Sequence, residues 1–264
     1  MTVIETDNLT LQIGHFHLQH IDIKIPKGKI TAIIGPNGSG KSTLLKVISR
    51  LLTHDTGDVR VEGRSAKQYK AKEFAQIVSM LPQSKNSLPN LTVRELVSYG
   101  RAPYKKIFEA RLTANDEAFI NWAMEVTGTK KFANRMYTTL SGGEQQKVRI
   151  ALTLAQNTSI ILLDEPTTFL DIAHQLDVME MLKEINETYQ FTIVMVLHEL
   201  QQAAAYSNFL IAMKQGKIAA FGSPKELLTP QFLKDVYDID ALVKYEGNYP
   251  LIIPRQRNLS ALSI

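Results

Sequence analysis

The stretch GPNGSGKST, which runs from Gly35 to Thr43, decides the fold of this chain. It matches the pattern G-x-x-x-x-G-K-[ST], whose glycines let backbone N–H groups turn inward around a phosphate. The pattern requires a strand before it and a helix after it. The apolar run at 30–34 supplies the strand, and Leu44, Leu45 and Ile48 follow at helical spacing. The sequence therefore predicts a phosphate-binding loop between a strand and a helix.

Individual residues of this loop are predicted to bind different parts of a nucleotide and its metal ion. Lys41 reaches the β and γ oxygens of a nucleotide, and Ser42 offers a hydroxyl to Mg²⁺. The helix that follows aims the positive end of its dipole at the same anion. We expect contacts with ATP along the whole loop: Gly35, Pro36, Asn37, Gly38, Ser39, Gly40, Lys41, Ser42 and Thr43.

A second stretch, ILLDEPT at 161–167, puts two carboxylates at the end of an apolar strand. Asp164 lies where the strand ends, so we expect it to hold Mg²⁺ through water. Glu165 points in a different direction and is predicted to act as the general base on the attacking water. An acidic pair after a strand is weak evidence for a catalytic site by itself, because surface carboxylates are common. The phosphate loop earlier in the chain is what makes the catalytic interpretation the favoured one.

A third stretch, LSGGEQQ at 140–146, begins a helix with a capping box between Ser141 and Glu144. The bare N–H groups and the serine hydroxyl make a second phosphate-binding surface from Ser141, Gly142 and Gly143. An ordinary helix cap is the alternative. Because the first loop already holds one nucleotide, we predict that this surface serves the nucleotide of a second copy, with two ATP molecules sandwiched head to tail.

In this order, the three stretches resemble the nucleotide-binding subunit of an ATP-binding cassette (ABC) transporter, and the likeness covers nearly the whole chain. The resemblance implies that Gln83 senses Mg²⁺ and the water. It also implies that Asp171 in TTFLD lies across the dimer and that His198 in VLHEL touches the γ-phosphate. The implied catalytic residues are Glu165, His198, Gln83, Lys41 and Ser141. The implied Mg²⁺-binding residues are Ser42, Gln83 and Asp164.

Two positions depart from the pattern of that family. The aromatic residue that stacks on adenine usually comes directly before a glycine in the N-terminal sheet, but this chain has Ile13 before Gly14. Three rings follow at 15–17 (HFH), and the sequence leaves open which ring stacks. In that family, the histidine that touches the γ-phosphate, here His198, is commonly followed by Asp. This chain has Glu199 instead, which carries the same negative charge on a side chain one methylene longer.

The pattern of apolar residues and the resemblance together predict an α/β fold of the P-loop NTPase (ABC ATPase) type. An N-terminal antiparallel β subdomain and a parallel-sheet core are expected at 1–83 and 140–264. A helical subdomain is expected as an insertion at 84–139, where strand signals stop and Thr92 with Glu95 forms a capping box. The insertion is the expected docking place of a membrane permease.

Composition limits the possible functions. The 264 residues include no cysteine, which excludes disulfides, Cys-based metal sites and thiol catalysis, and favours the cytoplasm. The N-terminus lacks the pattern of a signal peptide, and no stretch is apolar enough to span a bilayer, so a membrane role requires a partner. The net charge of +4 is scattered along the chain, which predicts a solvated surface and no nucleic-acid partner.

Four segments narrow the resemblance to the ATPases of bacterial iron–siderophore, haem and cobalamin importers: LPQ at 81–83, LTVRELVSYGRAPY at 91–104, LDIAHQ at 170–175 and HELQQAAAYS at 198–207. The resemblance implies an ATP hydrolase, peripheral at the cytoplasmic face of the membrane. This homodimeric subunit would drive import of a ferric siderophore through a permease, and indirectly serve a substrate-binding protein. Alternatives are haem or cobalamin import, a soluble ABC ATPase of the iron–sulfur assembly type, an exporter subunit, and an inactive binding scaffold.

Overall fold

The computed structural model describes residues 1–83, 90–105 and 111–255. Its strands are β1 (Thr2–Ile13), β2 (Phe16–Pro26), β3 (Ile30–Ile34), β4 (Thr56–Val61), β5 (Arg64–Ser65), β6 (Val78–Leu81), β7 (Ile160–Asp164), β8 (Thr192–Val196), β9 (Phe209–Lys214), β10 (Lys217–Gly222), β11 (Ala241–Glu246) and β12 (Tyr249–Pro254). Its helices are α1 (Lys41–Ile48), α2 (Ala71–Phe74), α3 (Val93–Ser98), α4 (Ala114–Val126), α5 (Gly142–Ala155), α6 (Ile172–Tyr189), α7 (Leu200–Tyr206), α8 (Pro224–Leu227) and α9 (Pro230–Tyr237).

The central sheet has the strand order β10-β9-β3-β8-β7-β6. All neighbours pair in parallel except β10, which runs antiparallel to β9 at one edge. β3, β7 and β8 are buried along their whole length, which explains their continuous apolar runs. Because parallel strands end at the same edge of a sheet, the loops that follow β3, β6, β7 and β8 come together there.

The N-terminal sheet is antiparallel and has the order β2-β1-β4-β5. Its first two strands alternate between buried and exposed residues, as one solvated face requires. The buried face joins a core cluster that also contains Leu44, Leu45 and Ile48 of α1. The helix after the phosphate loop is therefore packed between the two sheets, which fixes the direction in which its first turn points.

The segment predicted to be a helical insertion contains α3 and α4, packed against α5. The capping box of Thr92 and Glu95 is confirmed: the Glu95 N–H and the Thr92 N–H each bond the other residue's side chain. Arg101 is 1% exposed and forms an ion pair of 2.8 Å with Asp116 of α4. Its guanidinium also donates to the Ala155 carbonyl at the end of α5. The bounds 84 and 139 of this subdomain stay predictions, and residues 84–89 lie outside the described part.

The C-terminal segment was predicted only as part of the core, and it forms elements of its own. Helix α9 packs on β9, and β11 and β12 form a separate two-stranded sheet. Tyr237, the last residue of α9, packs edge-on against Phe232 with ring centroids 6.0 Å apart. Among the helices in the described residues, none is both long enough and apolar enough to cross a membrane.

Candidate active site

The phosphate loop, residues 35–40, joins β3 to α1 and closes on its own lysine. The Lys41 side chain is 5% exposed, and its Nζ donates to the carbonyls of Gly35 at 2.9 Å and Pro36 at 3.0 Å. Burial lowers the pKa of Lys41, while the charges of Glu165 and Asp164 oppose that shift. The ammonium is thus held at the bend of the loop, where it faces any phosphate that the loop surrounds.

Gly35 tolerates no side chain. Its φ is +145°, and a Cβ there would lie 2.1 Å from the carbonyl oxygen of Met213. Helix α1 begins after Gly40 without a hydrogen bond from a capping side chain, so its first N–H groups and the positive end of its dipole are directed into the loop. The predicted anion-binding geometry is therefore present in the backbone.

Ser39 is oriented differently from the other loop residues. Its hydroxyl is buried, and its N–H donates to the Pro36 carbonyl at 3.2 Å. The Ser39 carbonyl accepts from the Gly216 N–H at 3.0 Å, which ties the loop to the β9–β10 turn. Ser39 thus stabilises the loop through its backbone hydrogen bonds to Pro36 and Gly216. Its predicted contact with ATP stays a prediction.

Ser42 and Asp164 form the pair that fits a divalent cation. The Ser42 Oγ donates to Asp164 Oδ1 at 2.7 Å, and the carboxyl group is 1% exposed at the end of β7. Burial raises the pKa of Asp164, and the Ser42 hydrogen bond opposes the shift. Among the described residues, Asp164 Oδ2 finds no hydrogen-bond partner. A buried, unpaired carboxylate oxygen beside a hydroxyl is the kind of oxygen ligand set that Mg²⁺ takes, with its remaining positions left to phosphates and water.

Glu165 is the point at which three loops meet. Its carboxylate accepts from Gln83 Nε2 at 2.6 Å and from Thr168 Oγ1 at 3.0 Å, and it lies 2.5 Å from His198 Nε2. The Glu165 side chain is only 8% exposed, whereas His198 is 40% exposed. Residues from the ends of β6, β7 and β8 thereby hold one carboxylate beside the phosphate loop. Thr168 is a contact that the sequence reasoning missed.

In the described part of the chain, two neighbouring cavities border the phosphate loop. One of about 410 Å³ is lined by Phe16, Asn37, Gly38, Gly40, Lys41, Ser42, Thr43, Glu165 and His198. The other, of about 490 Å³, is lined by Gly35, Pro36, Asn37, Glu165, Thr168, His198 and Tyr237. A cavity of about 610 Å³ at the start of β3 contains no residue of the loop, so we assign it no part in nucleotide binding.

The aromatic ring that lines the first of these cavities belongs to Phe16. A Cβ placed on Gly40 would lie 2.7 Å from Phe16 Cζ, so the ring packs directly over the backbone of the phosphate loop. Of the three rings at 15–17, Phe16 is the one among the described lining residues of this cavity. It stands three residues beyond the position that the family pattern suggests.

Seven predicted residues line neither of these two cavities: Ser39, Gln83, Ser141, Gly142, Gly143, Asp164 and Asp171. The capping box predicted at Ser141 and Glu144 is confirmed, with the Ser141 N–H bound to Glu144 Oε2 at 2.8 Å. Asp171 caps α6 by accepting from the His174 N–H at 2.9 Å. Ser39 belongs to the phosphate loop, and Gln83 and Asp164 bond Glu165 and Ser42. Ser141, Gly143 and Asp171 instead contact Glu144 and His174.

Comparison with known proteins decides the family. Residues 18–168 match the model of the family described as ABC transporter. The chain belongs to the ABC transporter family. This ABC ATPase is 42% identical over 241 residues to the petrobactin import ATP-binding protein FpuC of Bacillus anthracis, covering 91% of the chain and 88% of that protein. It is 44% identical over 242 residues to the iron(3+)-hydroxamate import ATP-binding protein FhuC of Bacillus subtilis, covering 91% and 90%.

One further relative and two solved structures are also similar to this chain. The ferric enterobactin transport ATP-binding protein FepC of Escherichia coli is 42% identical over 254 residues, covering 95% of this ABC ATPase and 93% of that protein. A solved inward-facing transporter, provisionally assigned to the metal-chelate type, superimposes with a TM-score of 0.85 at 26% identity, covering 98% of this chain and 100% of that one. A dimeric bacterial ABC cassette, MJ0796, gives a TM-score of 0.72 at 28% identity, covering 84% and 98%.

These comparisons confirm the predicted α/β ABC ATPase fold. The chain is an ATP-binding protein and an ATP hydrolase of the ABC type. The roles of its single residues are not fixed by family membership, and they rest on the geometry of the site.

Proposed function

We propose that this chain is the ATP-hydrolysing subunit of a bacterial importer of ferric siderophores. The relatives FpuC, FhuC and FepC are named for the import of petrobactin, ferric hydroxamate and ferric enterobactin. They match at 42–44% identity over at least 91% of this chain. Haem and cobalamin import remain the alternatives within the same subgroup.

The observation that carries the catalytic part is the fixed position of the Glu165 carboxylate. Gln83, Thr168 and His198 orient it beside Lys41, at the edge of the loop that would surround the phosphates. We propose that water bound to Glu165 attacks the γ-phosphorus in line. The new P–O bond forms while the bond to the β,γ-bridging oxygen breaks, the water proton passes to Glu165, and ADP and phosphate leave.

In this proposal, two sets of groups neutralise the charge on the phosphate oxygens: those of the phosphate loop and those that would hold Mg²⁺. Lys41 supplies a buried ammonium, and the N–H groups at the start of α1 supply hydrogen bonds. Ser42 and Asp164 would hold Mg²⁺, which polarises the phosphoryl oxygens when bound. Gln83 would complete that set through its amide oxygen, because its nitrogen is engaged by Glu165.

A second copy of the chain completes the site in this proposal. Ser141 and Gly142 are exposed at the start of α5, whereas Gly143 is buried and the Ser141 N–H is bonded to Glu144. The Ser141 hydroxyl and the Gly142 N–H would therefore be the groups open to a partner's phosphate. Asp171 has a side chain that is 68% exposed. In a head-to-tail dimer both surfaces would face the nucleotide of the partner. Phe16 would stack on adenine, since its ring lines the nucleotide cavity.

The remaining partners are those of an importer. An integral membrane permease would dock on the helical segment 84–139, and a substrate-binding protein would act through that permease. The ATPase would then lie at the cytoplasmic face of the membrane as a peripheral subunit. A soluble ABC ATPase of the iron–sulfur assembly type would have no such permease.

The test is uptake by cells that lack this chain. We expect deletion to abolish uptake of radioiron bound to a hydroxamate or catecholate siderophore, with restoration by the wild type and not by Glu165→Gln. Normal siderophore uptake together with lost uptake of haem or cyanocobalamin would move the proposal to that alternative. Copurification of the tagged chain with no integral membrane protein would favour the soluble alternative.

A further inference from the structure

Two glutamines that the catalytic proposal does not use, Gln175 and Gln202, join two of its segments by a direct contact. LDIAHQ at 170–175 opens α6, and HELQQAAAYS at 198–207 forms α7. The Nε2 atom of Gln202 donates to Oε1 of Gln175 at 2.6 Å. Gln202 is 4% exposed and Gln175 is half-buried, so this hydrogen bond is partly shielded from water. A shielded bond between two amides fixes the relative position of the two helix starts more firmly than a solvated one.

The second half of the Gln175 amide extends the contact to the loop after β7. Its Nε2 donates to the Leu170 carbonyl at 3.0 Å, one residue before Asp171. The same side chain therefore accepts from α7 and donates to the loop. Because Gln202 Oε1 has no hydrogen-bond partner among the described residues, the Gln202 amide is held through its nitrogen.

Gln202 lies close to His198 in the chain, and Gln175 lies close to Asp171 and His174. The contact therefore joins the proposed catalytic residues to the surface proposed to face the partner. Helix α7 begins at Leu200, two residues after His198, so its position governs where the imidazole meets Glu165. On the other side, the His174 ring packs against α5: a Cβ on Gly143 would lie 2.1 Å from His174 Cδ2. The first turn of α6 thus contacts the start of α5 and the start of α7 at once.

We propose that Gln175 and Gln202 are positioning residues that hold the His198 loop in register with the surface of Ser141, Gly143 and Asp171. This inference rests on the proposed function, in which His198 serves the chain's own nucleotide and the other surface serves the partner's. The two amides keep the distance between these surfaces fixed, so that docking of the second copy leaves His198 aligned on Glu165. Neither glutamine is among the residues that line the two cavities at the phosphate loop.

The experiment is a double-mutant cycle on ATP hydrolysis by the purified full chain. Gln175→Met and Gln202→Met keep the volume of the side chains and remove the amides. We expect each single variant to lower kcat about 5- to 10-fold, the scale of one hydrogen bond, while KM for ATP stays within about twofold. We expect the double variant to lose no more than the worse single variant, because one interaction is removed only once.

The matched control is Gln201→Met on the same helix, whose Nε2 bonds the Pro250 carbonyl at 3.3 Å in the C-terminal hairpin. It should leave kcat unchanged. Should a Met variant fail to fold, Gln175→Ala carries the test, because Gln175 is only half-buried and its truncation removes the amide without burying a charge. It should lower kcat as much. Losses that multiply in the double variant, or a rise in KM equal to the fall in kcat, would overturn the proposal. Those results would leave siderophore uptake, and hence the proposed function, untouched.

Discussion

The imidazole of His198 lies 2.5 Å, Nε2 to Oε1, from the carboxylate of Glu165. Gln83 and Thr168 bind the other carboxylate oxygen, so both oxygens of Glu165 are oriented by side chains. Because the contacts come from loops after three neighbouring strands, the position of the carboxylate depends on the whole edge of the sheet. A general base must be held within hydrogen-bond distance of the water that it deprotonates, and these contacts fix the one carboxylate that we propose for that role.

The buried lysine of the phosphate loop should determine the affinity for ATP. Lys41→Ala removes the ammonium that now bonds the Gly35 and Pro36 carbonyls. We expect the affinity to fall about 10- to 100-fold, the range for a hydrogen bond to a charged group, because the lysine neutralises phosphate charge in the bound state as well as in the transition state. Calorimetric titration with ATP measures it, with Lys46→Ala on the same helix as control. An affinity equal to that of the wild type would contradict this role.

The trans role of the second anion-binding surface can be tested by mixing variants. Ser141→Arg should still bind ATP through its own loop but should fail to close the dimer and fail to hydrolyse. Mixed with Lys41→Ala, it should regain part of the activity, because one composite site then has its lysine and Glu165 from one chain and Ser141 from the other. Normal hydrolysis by Ser141→Arg alone would show that the segment is only a helix cap.

The buried ion pair of the helical segment should matter for stability. Arg101 is 1% exposed and pairs with Asp116, and its guanidinium lies 3.9 Å from the ring centroid of Tyr104. Arg101→Leu leaves a buried carboxylate unpaired and should lower the free energy of unfolding by about 3–5 kcal/mol. Lys130→Ala, which breaks an exposed pair with Glu125, should cost no more than about 1 kcal/mol. Chemical denaturation measures both, and equal losses would contradict the assignment.

The same pair should depend on pH. Burial alone would raise the pKa of Asp116, but hydrogen bonds from Arg101 and Thr113 hold it below the ordinary value of 3.8. A carboxyl whose pKa is lowered by folding stabilises the fold above its unfolded pKa, and that contribution disappears as the pH falls through the folded pKa. The stability gap between the wild type and Arg101→Leu should therefore be full near neutral pH and narrow below about pH 4.

The nucleotide site could be read from the sequence because its parts are local. The phosphate loop and the Asp164–Glu165 pair are contiguous segments whose backbone is set by glycines and by a strand end. Thr168 was not predicted, because its contact depends on the turn at Glu165, where φ is +55°. The position of Phe16 required knowing how the N-terminal sheet packs over the loop.

Other features could not be predicted, either because they depend on contacts between segments distant in sequence or because the C-terminal segment has a weak hydrophobic pattern. The Gln175–Gln202 bond joins residues 27 positions apart, and no periodicity of either helix predicts it. The strands of the β11–β12 hairpin are mostly exposed or half-buried, so they lack the continuous buried apolar run that marks the central strands. The continuous apolar runs of β3, β7 and β8 were readable because both faces of the central sheet are covered.

Turnover of Glu165→Gln decides whether this carboxylate performs the chemistry. The substitution keeps the shape of the side chain and removes its basicity, so ATP binding should stay near that of the wild type. We expect steady-state hydrolysis to fall about 10²-fold or more, the scale of a positioned general base, and an ATP-bound dimer to accumulate. Turnover close to that of the wild type, with ATP binding intact, would contradict the assignment of Glu165 as the base.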